Sequence, residues 1–251
     1  MSRTFTEEEM LTRLWDKEEV IKTINRHSYY MSNEMREEEL EALWVKEPEH
    51  QKTASLGVNT GYYTGMEEIR KFYVDYRKEQ REALLKGYLE KDASLSEKDL
   101  GIGSCCMHTA TTPLAYISED GKSAQYQGYR AGMQCKGKAD GDADCYMDLG
   151  LIHCDLLKED GVWKIWHLEL ERDHTFTVAE NYAKQEADPA WPDPLAGDFG
   201  EPTVKQTVYD PFYGWEYMFQ DMPRPYETMT DERSYGPKGQ LGKPYYERDL
   251  R

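Results

Sequence analysis

The sequence predicts an α+β fold: N-terminal helices packed on a strongly curved antiparallel sheet, followed by a proline- and aromatic-rich arm. Three observations predict it. Apolar residues recur at helical spacing through the first third of the chain. Four long β-prone stretches then alternate with turn chemistry. Beyond Asp188 the prolines become dense and are interleaved with Trp191, Phe212, Trp215 and Phe219. Helices and antiparallel strands segregated along a chain make an α+β fold.

Two helices open the chain. Thr6 with Glu9 reads as a capping box for a short helix over 7–14, and Asp16 with Glu19 as a second box for a helix over 17–32. Val20, Ile21, Ile24, Ser28 and Met31 give the second helix an inward stripe, and Asn33 breaks it. A third helix spans 35–45, and Pro48 ends it. Residues 51–58 read as a short strand and 61–65 as a turn. A long helix from Met66 to about Leu89 would bury Ile69, Phe72, Tyr73, Tyr76, Leu84 and Leu85. Strands over 104–117, 123–135, 143–157 and 162–171 follow. Asp120-Gly121 and Asp160-Gly161 are hairpin signals between apolar runs. A bent meander wrapped on helices leaves a conical cavity, where small molecules bind. The aromatics of the arm argue for order over 189–251, with Trp191, Phe212, Trp215 and Phe219 buried. The division expected is a domain over 1–175 and an extension over 176–251 that wraps the domain or a partner subunit.

Composition excludes several classes. A net charge of −17 repels phosphate backbones, so nucleic acid is not expected as a partner. No apolar run approaches the roughly 18 residues of a membrane span, so no membrane is expected either. The N-terminal residues lack the apolar stretch of a signal peptide, and five cysteines without a CxxC pair point to reduced thiols in a cytoplasm. Cys105 and Cys106 would face opposite sides of a strand and so make poor joint zinc ligands. Gly-rich phosphate loops, nucleotide fingerprints, nucleophile elbows and metalloprotease motifs are absent from the sequence. No metal and no cofactor are expected.

Four short segments, in order, carry a resemblance. They are the helix from Ile21 leading to Trp44, the Tyr62-Tyr63-Thr64-Gly65-Met66-Glu67-Glu68-Ile69 helix start, the His108-Thr109-Ala110-Thr111-Thr112-Pro113 strand with its Asp120-Gly121-Lys122-Ser123-Ala124 hairpin, and Asp160-Gly161-Val162-Trp163-Lys164-Ile165. Together they resemble the SnoaL-like (NTF2-like) superfamily over about residues 16–172. The resemblance implies a cone with an internal pocket. In its scytalone dehydratase-like and dehydrochlorinase-like members, a pocket histidine acts with an aspartate at the end of the first long helix.

His108 falls on that histidine. Imidazole titrates near neutrality and can take and return a proton. Ala110, Thr112, Leu114 and Tyr116 would share its face. The family aspartate is replaced by Asn33, whose amide can orient an imidazole without offsetting its positive charge. Tyr30 is a candidate electrophilic donor, and Tyr29, Arg130, His153 and His167 are candidate substrate-binding residues. The second pocket histidine of the scytalone dehydratase-like members aligns near Gly132, so the resemblance implies that it is absent. These residues support a cofactor-independent lyase, a dehydratase or related elimination enzyme acting on a hydrophobic aromatic, polyketide-like or steroid-like molecule by histidine acid/base catalysis. A carbon–carbon lyase on lignin-derived aromatics is a variant that no residue singles out. The alternative is a non-catalytic module that binds a hydrophobic ligand or only assembles with partners, which Asn33 favours. A homodimer is expected, because such a sheet leaves an outer face to bury.

Overall fold

The computed structural model describes residues 4–58, 61–96, 105–137, 143–176, 202–205, 222–239 and 241. Trp191, Phe212, Trp215 and Phe219 lie outside the described residues.

The first helix, α1 (Glu7–Ser32), is one unbroken element rather than two. Its N-terminus is the expected capping box: Glu9 N donates to Thr6 Oγ1 at 3.2 Å and Thr6 N to Glu9 Oε2 at 2.8 Å. Asp16 does not cap anything. It is buried and accepts from Lys158 Nζ at 2.6 Å and Trp163 Nε1 at 3.0 Å, so this carboxylate ties α1 to the last long hairpin. Its spacing to Glu19 imitates a cap, but tertiary partners claim its oxygens.

Helix α2 (Arg36–Leu43) follows after Glu34, whose φ of 56° turns the chain. Pro48 starts a helix instead of ending one: α3 (Pro48–Thr53) carries it in the first turn, where its missing N–H costs nothing. Strands β1 (Ser55–Val58) and β2 (Gly61–Thr64) pair antiparallel, so the segment expected as a turn is a strand. The expected long helix comprises α4 (Met66–Arg70), a π-helical turn (Lys71–Asp75) and α5 (Tyr76–Lys91). Its Tyr73 and Tyr76 are buried.

The meander forms as expected: β3 (Cys105–Ile117), β4 (Ser123–Gly137), β5 (Ala143–Glu159) and β6 (Val162–Phe176) pair antiparallel in sequence order. The sheet order is β3-β4-β5-β6-β1-β2-β7, where β7 is Val204–Lys205. The sheet is mixed, because β1 runs parallel to β6. Irregularities bend it at Thr111/Leu114, Leu149/Gly150 and Asp155/Leu156. The first contains Pro113, which cannot donate to the ladder, and Thr112 at φ 53°. It also switches faces: beyond it Ala115 and Ile117 enter the core, while Thr112, Leu114 and Tyr116 do not share the face of His108.

The core lies between the concave face and the helices. Ile24, Leu43, Trp44, Leu56, Ile69, Leu156, Ile165 and Leu168 are all at most 2% exposed. Each such aliphatic side chain contributes about 1.5–3 kcal/mol of transfer free energy. Glu39 of α2 is also fully buried there and accepts from His27 Nδ1 (2.8 Å), Tyr73 Oη (2.8 Å) and Trp44 Nε1 (3.4 Å).

The described part of the arm packs on the convex face around Ser123, Gln125, His153 and Asp155. Tyr226 and Tyr235 are buried, Tyr235 N donates to Asp155 Oδ2 at 2.6 Å, and Glu119 N donates to the Tyr226 carbonyl at 2.9 Å. This segment packs on its own chain. Cys135 and Cys145 are cross-strand partners joined by a disulfide, which corrects the expectation that all five thiols are reduced. Cys105 and Cys106 do face opposite ways: Cys105 is exposed, and Cys106 touches His108 on the concave side. Among the described residues no helix is long and apolar enough to cross a membrane.

Candidate active site in the cone

A cavity of about 580 Å³, counted out to its open mouth, lies between the concave face and the helices. Met31, Leu56, Val58 and Leu170 supply apolar lining, and Phe72, Tyr73 and Tyr76 an aromatic side. Tyr63 stacks behind Phe72 at 4.0 Å and nearly parallel. Polar groups come from the sheet as His108, Arg130, Gln134 and Asp148, and from the helices as Arg36 and Arg77.

The central arrangement is one row of the sheet. His108 on β3 pairs with Gly132 on β4, and Gly132 pairs with Asp148 on β5. His108 Nε2 lies 3.0 Å from Asp148 Oδ2, with both side chains almost fully buried. A side chain on Gly132 would collide with the His108 ring, so the glycine lets the imidazole cross a whole strand to reach its carboxylate. On its other side His108 Nδ1 lies 3.5 Å from Cys106 Sγ. An ionised carboxylate only accepts hydrogen bonds. With Asp148 ionised, the ring proton sits on Nε2 and the lone pair on Nδ1. Burial pushes the Cys106 thiol up, helped by the Glu34 charge, so sulfur sits beside Nδ1 as S–H.

On the helical side, Arg36 Nε donates to Glu34 Oε2 at 3.2 Å, and its guanidinium lies 4.6 Å over the Tyr73 ring. Burial opposes ionisation of Glu34, but the charges of Arg36 and Arg77 and the Arg36 hydrogen bond outweigh it and hold the carboxyl below its usual range. Burial, and then the Arg36 charge, pull the Arg77 guanidinium down to about 10. Tyr73 donates to Glu39, and its phenol is pushed well up by burial and by that carboxylate.

The structure brings His108 and Arg130 into the cavity and leaves the other expected residues elsewhere. Asn33 does not orient His108. It is exposed at the end of α1, and its Nδ2 donates to the Tyr29 carbonyl at 2.8 Å. The preceding residue, Ser32, is the one that reaches His108, through a 3.4 Å bond from the His108 backbone N–H. Tyr29 is 73% exposed and faces solvent. Tyr30 is half-buried, outside the cavity lining, with Arg26 Nη2 3.4 Å from its hydroxyl. His153 and His167 belong to the convex face. His153 stacks on Tyr235, and His167 Nδ1 lies 2.9 Å from Asp155 Oδ2. Each is one strand position from the concave side, which is enough to reverse its face. Asp148, Cys106, Arg36, Arg77, Tyr73 and Tyr76 are cavity residues the sequence reading did not assign to the pocket.

Among the described residues one group outside the cavity has metal-ligand chemistry: Glu47, His50 and Glu159 bring candidate ligand atoms within 4.8 Å of one another. Glu159 already accepts from Lys46 N at 2.6 Å, Glu47 N at 3.3 Å and His50 Nδ1 at 2.7 Å. The cluster is a clamp joining the start of α3 to β5.

The chain is similar to several solved structures. A protein from Kribbella flavida shares 12% identity at a TM-score of 0.44, covering 64% of this chain and 93% of that one. A nuclear transport factor 2 (NTF2-like) superfamily protein from Salmonella enterica serovar Typhimurium shares 15% at 0.44, covering 67% and 98%. An NTF2-like protein with a cystatin-like fold from Novosphingobium aromaticivorans shares 14% at 0.43, covering 68% and 92%. No curated protein matches. The SnoaL-like domain matches residues 12–169, which spans the helices, the cavity and the whole meander up to Glu169 of β6. The chain belongs to the SnoaL-like domain family.

Proposed function

We propose that the protein is a cofactor-independent lyase of the dehydratase type, acting on a small aromatic molecule bound in the cone. The observation that carries this reading is the buried His108–Asp148 pair at 3.0 Å in a cavity with an aromatic side. Nδ1 of His108 takes a proton from the carbon next to a substrate carbonyl. The electron pair moves into the new carbon–carbon double bond, and the β-hydroxyl leaves with the proton that Nδ1 returns, as water. Asp148 stabilises the imidazolium between the two transfers. Arg130, buried in the neighbouring row of the sheet, stabilises the enolate oxygen. The Cys106 contact at Nδ1 is a weak one that a substrate C–H can replace. Asn33 was the reason to consider a non-catalytic module, and Asp148 supplies the carboxylate that Asn33 lacks.

The proposal extends to organisation. Residues 1–175 form the catalytic domain and 176–251 an extension. Met107 (52% exposed), Met147 (36%), Leu149 (39%) and Tyr129 (45%) lie on the convex face of β3–β5, and a second copy would bury them as a homodimer. A cytoplasmic location belongs to the same proposal.

A panel of β-hydroxy aryl ketones, followed by the absorbance of the conjugated enone, tests the reaction class. Wild type should convert at least one member. A panel bound in the cavity but never dehydrated would leave the fold as a binding module.

A further inference from the structure

Arg36 and Arg77 stand on the helical side of the cavity with Phe72 and Tyr76, and the charges of both are felt at Cys106, the neighbour of His108. Arg36 is 5% exposed, and its Nη2 is buried with no hydrogen-bond partner among the described residues. A buried guanidinium N–H that is left unmade costs free energy which a ligand acceptor recovers. Charge points the same way. Among the described residues three guanidiniums line the cavity, from Arg36, Arg77 and Arg130. Among the described residues, Asp148 is engaged with His108, Glu34 at the edge is engaged with Arg36, and Arg77 Nη1 donates to Gln80 Oε1 at 2.8 Å. Burial first, and then the Arg36 charge, depress Arg77, whereas at Arg36 the burial is outweighed by Tyr73 and Glu34 and its guanidinium is held up. An anion delivered between them relieves both costs.

We infer that Arg36 and Arg77 form an oxyanion-binding end of the cavity, and that its ligand is an arene carrying a carboxylate or a phenolate. The guanidinium forks suit a planar oxyanion, and Phe72 and Tyr76, with ring centroids 6.1 Å apart, receive the ring that carries it. The inference rests on the cavity being the ligand site of the proposed function, and does not require His108 to be catalytic.

The test is binding by titration calorimetry on the full chain, with naphthoate against its methyl ester and para-nitrophenolate against para-nitroanisole, at about pH 8, where both anions are ionised. At least one anion should bind about tenfold or more tighter than its neutral counterpart. A preference in the first pair assigns a carboxylate, and one in the second pair a phenolate. Arg77→Met should reduce the preference to within about twofold, while Arg77→Lys, which keeps the charge, should retain most of it. Arg36→Met should act as Arg77→Met does. If it fails to fold in a melting curve, the Arg77 variants decide. Neutral counterparts that bind as well as both anions, no measurable anion binding, or a preference that survives Arg77→Met would each overturn the inference. His108→Ala serves as the separating control. Anion preference kept while turnover is unchanged would sink the catalytic reading and leave this one standing.

Discussion

Asp148 Oδ2 lies 3.0 Å from Nε2 of His108, two strands away and across a residue with no side chain. The pair follows from sheet register. His108 supplies the ring, Gly132 the space, and Asp148 the charge that fixes the ring's tautomer. Gly132→Ala should therefore unseat the imidazole. The expected result is a fold destabilised by about 1–3 kcal/mol, with the His108–Asp148 hydrogen bond lost. Urea unfolding and the side-chain nitrogen shifts of His108 measure the two effects.

Asp148→Asn tests the carboxylate by itself. An amide of the same shape keeps the packing but does not stabilise an imidazolium, and it permits the wrong tautomer. Turnover on a substrate from the aryl ketone panel should fall by about 10²–10⁴-fold, the range that proton-transfer machinery controls. Ligand affinity should stay within about threefold. Asn33→Asp, by contrast, should leave turnover unchanged, because Asn33 faces its own helix.

Much of this was legible in the sequence. The capping box at Thr6, the helical stripe of Val20, Ile24 and Met31, and the Asp-Gly hairpins at 120–121 and 160–161 rest on local chemistry, and each appears where that chemistry puts it. The cavity was half legible. His108 was expected there by position, and it lines the cavity. Asp148 was hidden because finding it requires counting register through two hairpins, and the first contains the irregularity at Thr111/Leu114. Counting back from the Ile117–Ala124 pair sets His108 opposite Met133, and the extra residue moves it to Gly132. Pro113 and the positive φ of Thr112 mark that shift, but only Pro113 is visible in a sequence. The same sensitivity misplaced His153 and His167, whose faces depend on the bends in β5 and β6. Asp16 and Pro48 were misread for another reason: long-range partners, or the start of a new helix, used residues whose local pattern has two meanings.

The buried carboxylate of Glu39 receives three donors, from His27, Tyr73 and Trp44. Glu39→Leu would leave the three unpaired in the core and should cost about 3–5 kcal/mol. Chemical denaturation checks this. A loss below about 1 kcal/mol would show that water reaches those groups.

Acid should open the clamp at Glu159. Burial raises this carboxyl, and hydrogen bonds from His50, Lys46 N and Glu47 N more than reverse it, leaving it below the ordinary glutamate range. A depressed native value means the unfolded chain binds the proton more readily. The contribution is therefore present above the unfolded value and lost as pH falls through the native one. Melting temperature should drop through that window in wild type, and the drop should be smaller in Glu159→Gln.

Cysteine labelling distinguishes the two faces of β3. Cys105 is exposed, while Cys106 is partly buried with its thiol pushed up. Iodoacetamide at neutral pH should modify Cys105 first, since the thiolate is the reactive form. Peptide mapping by mass spectrometry reads the order. Cys106 reacting first would mean that His108 takes its proton, which contradicts the protonation assigned to Nδ1.

Proton abstraction by His108 is the central claim, and hydrogen exchange at carbon tests it most directly, because exchange needs the base and not the leaving group. An aryl ketone that binds the cavity and carries no β-hydroxyl is incubated in heavy water, and loss of its α-proton signal is followed by NMR. Wild type should wash out the α-protons, and His108→Ala, still binding the ketone, should do so at least about 100-fold more slowly. Equal exchange rates in the two proteins would contradict the account.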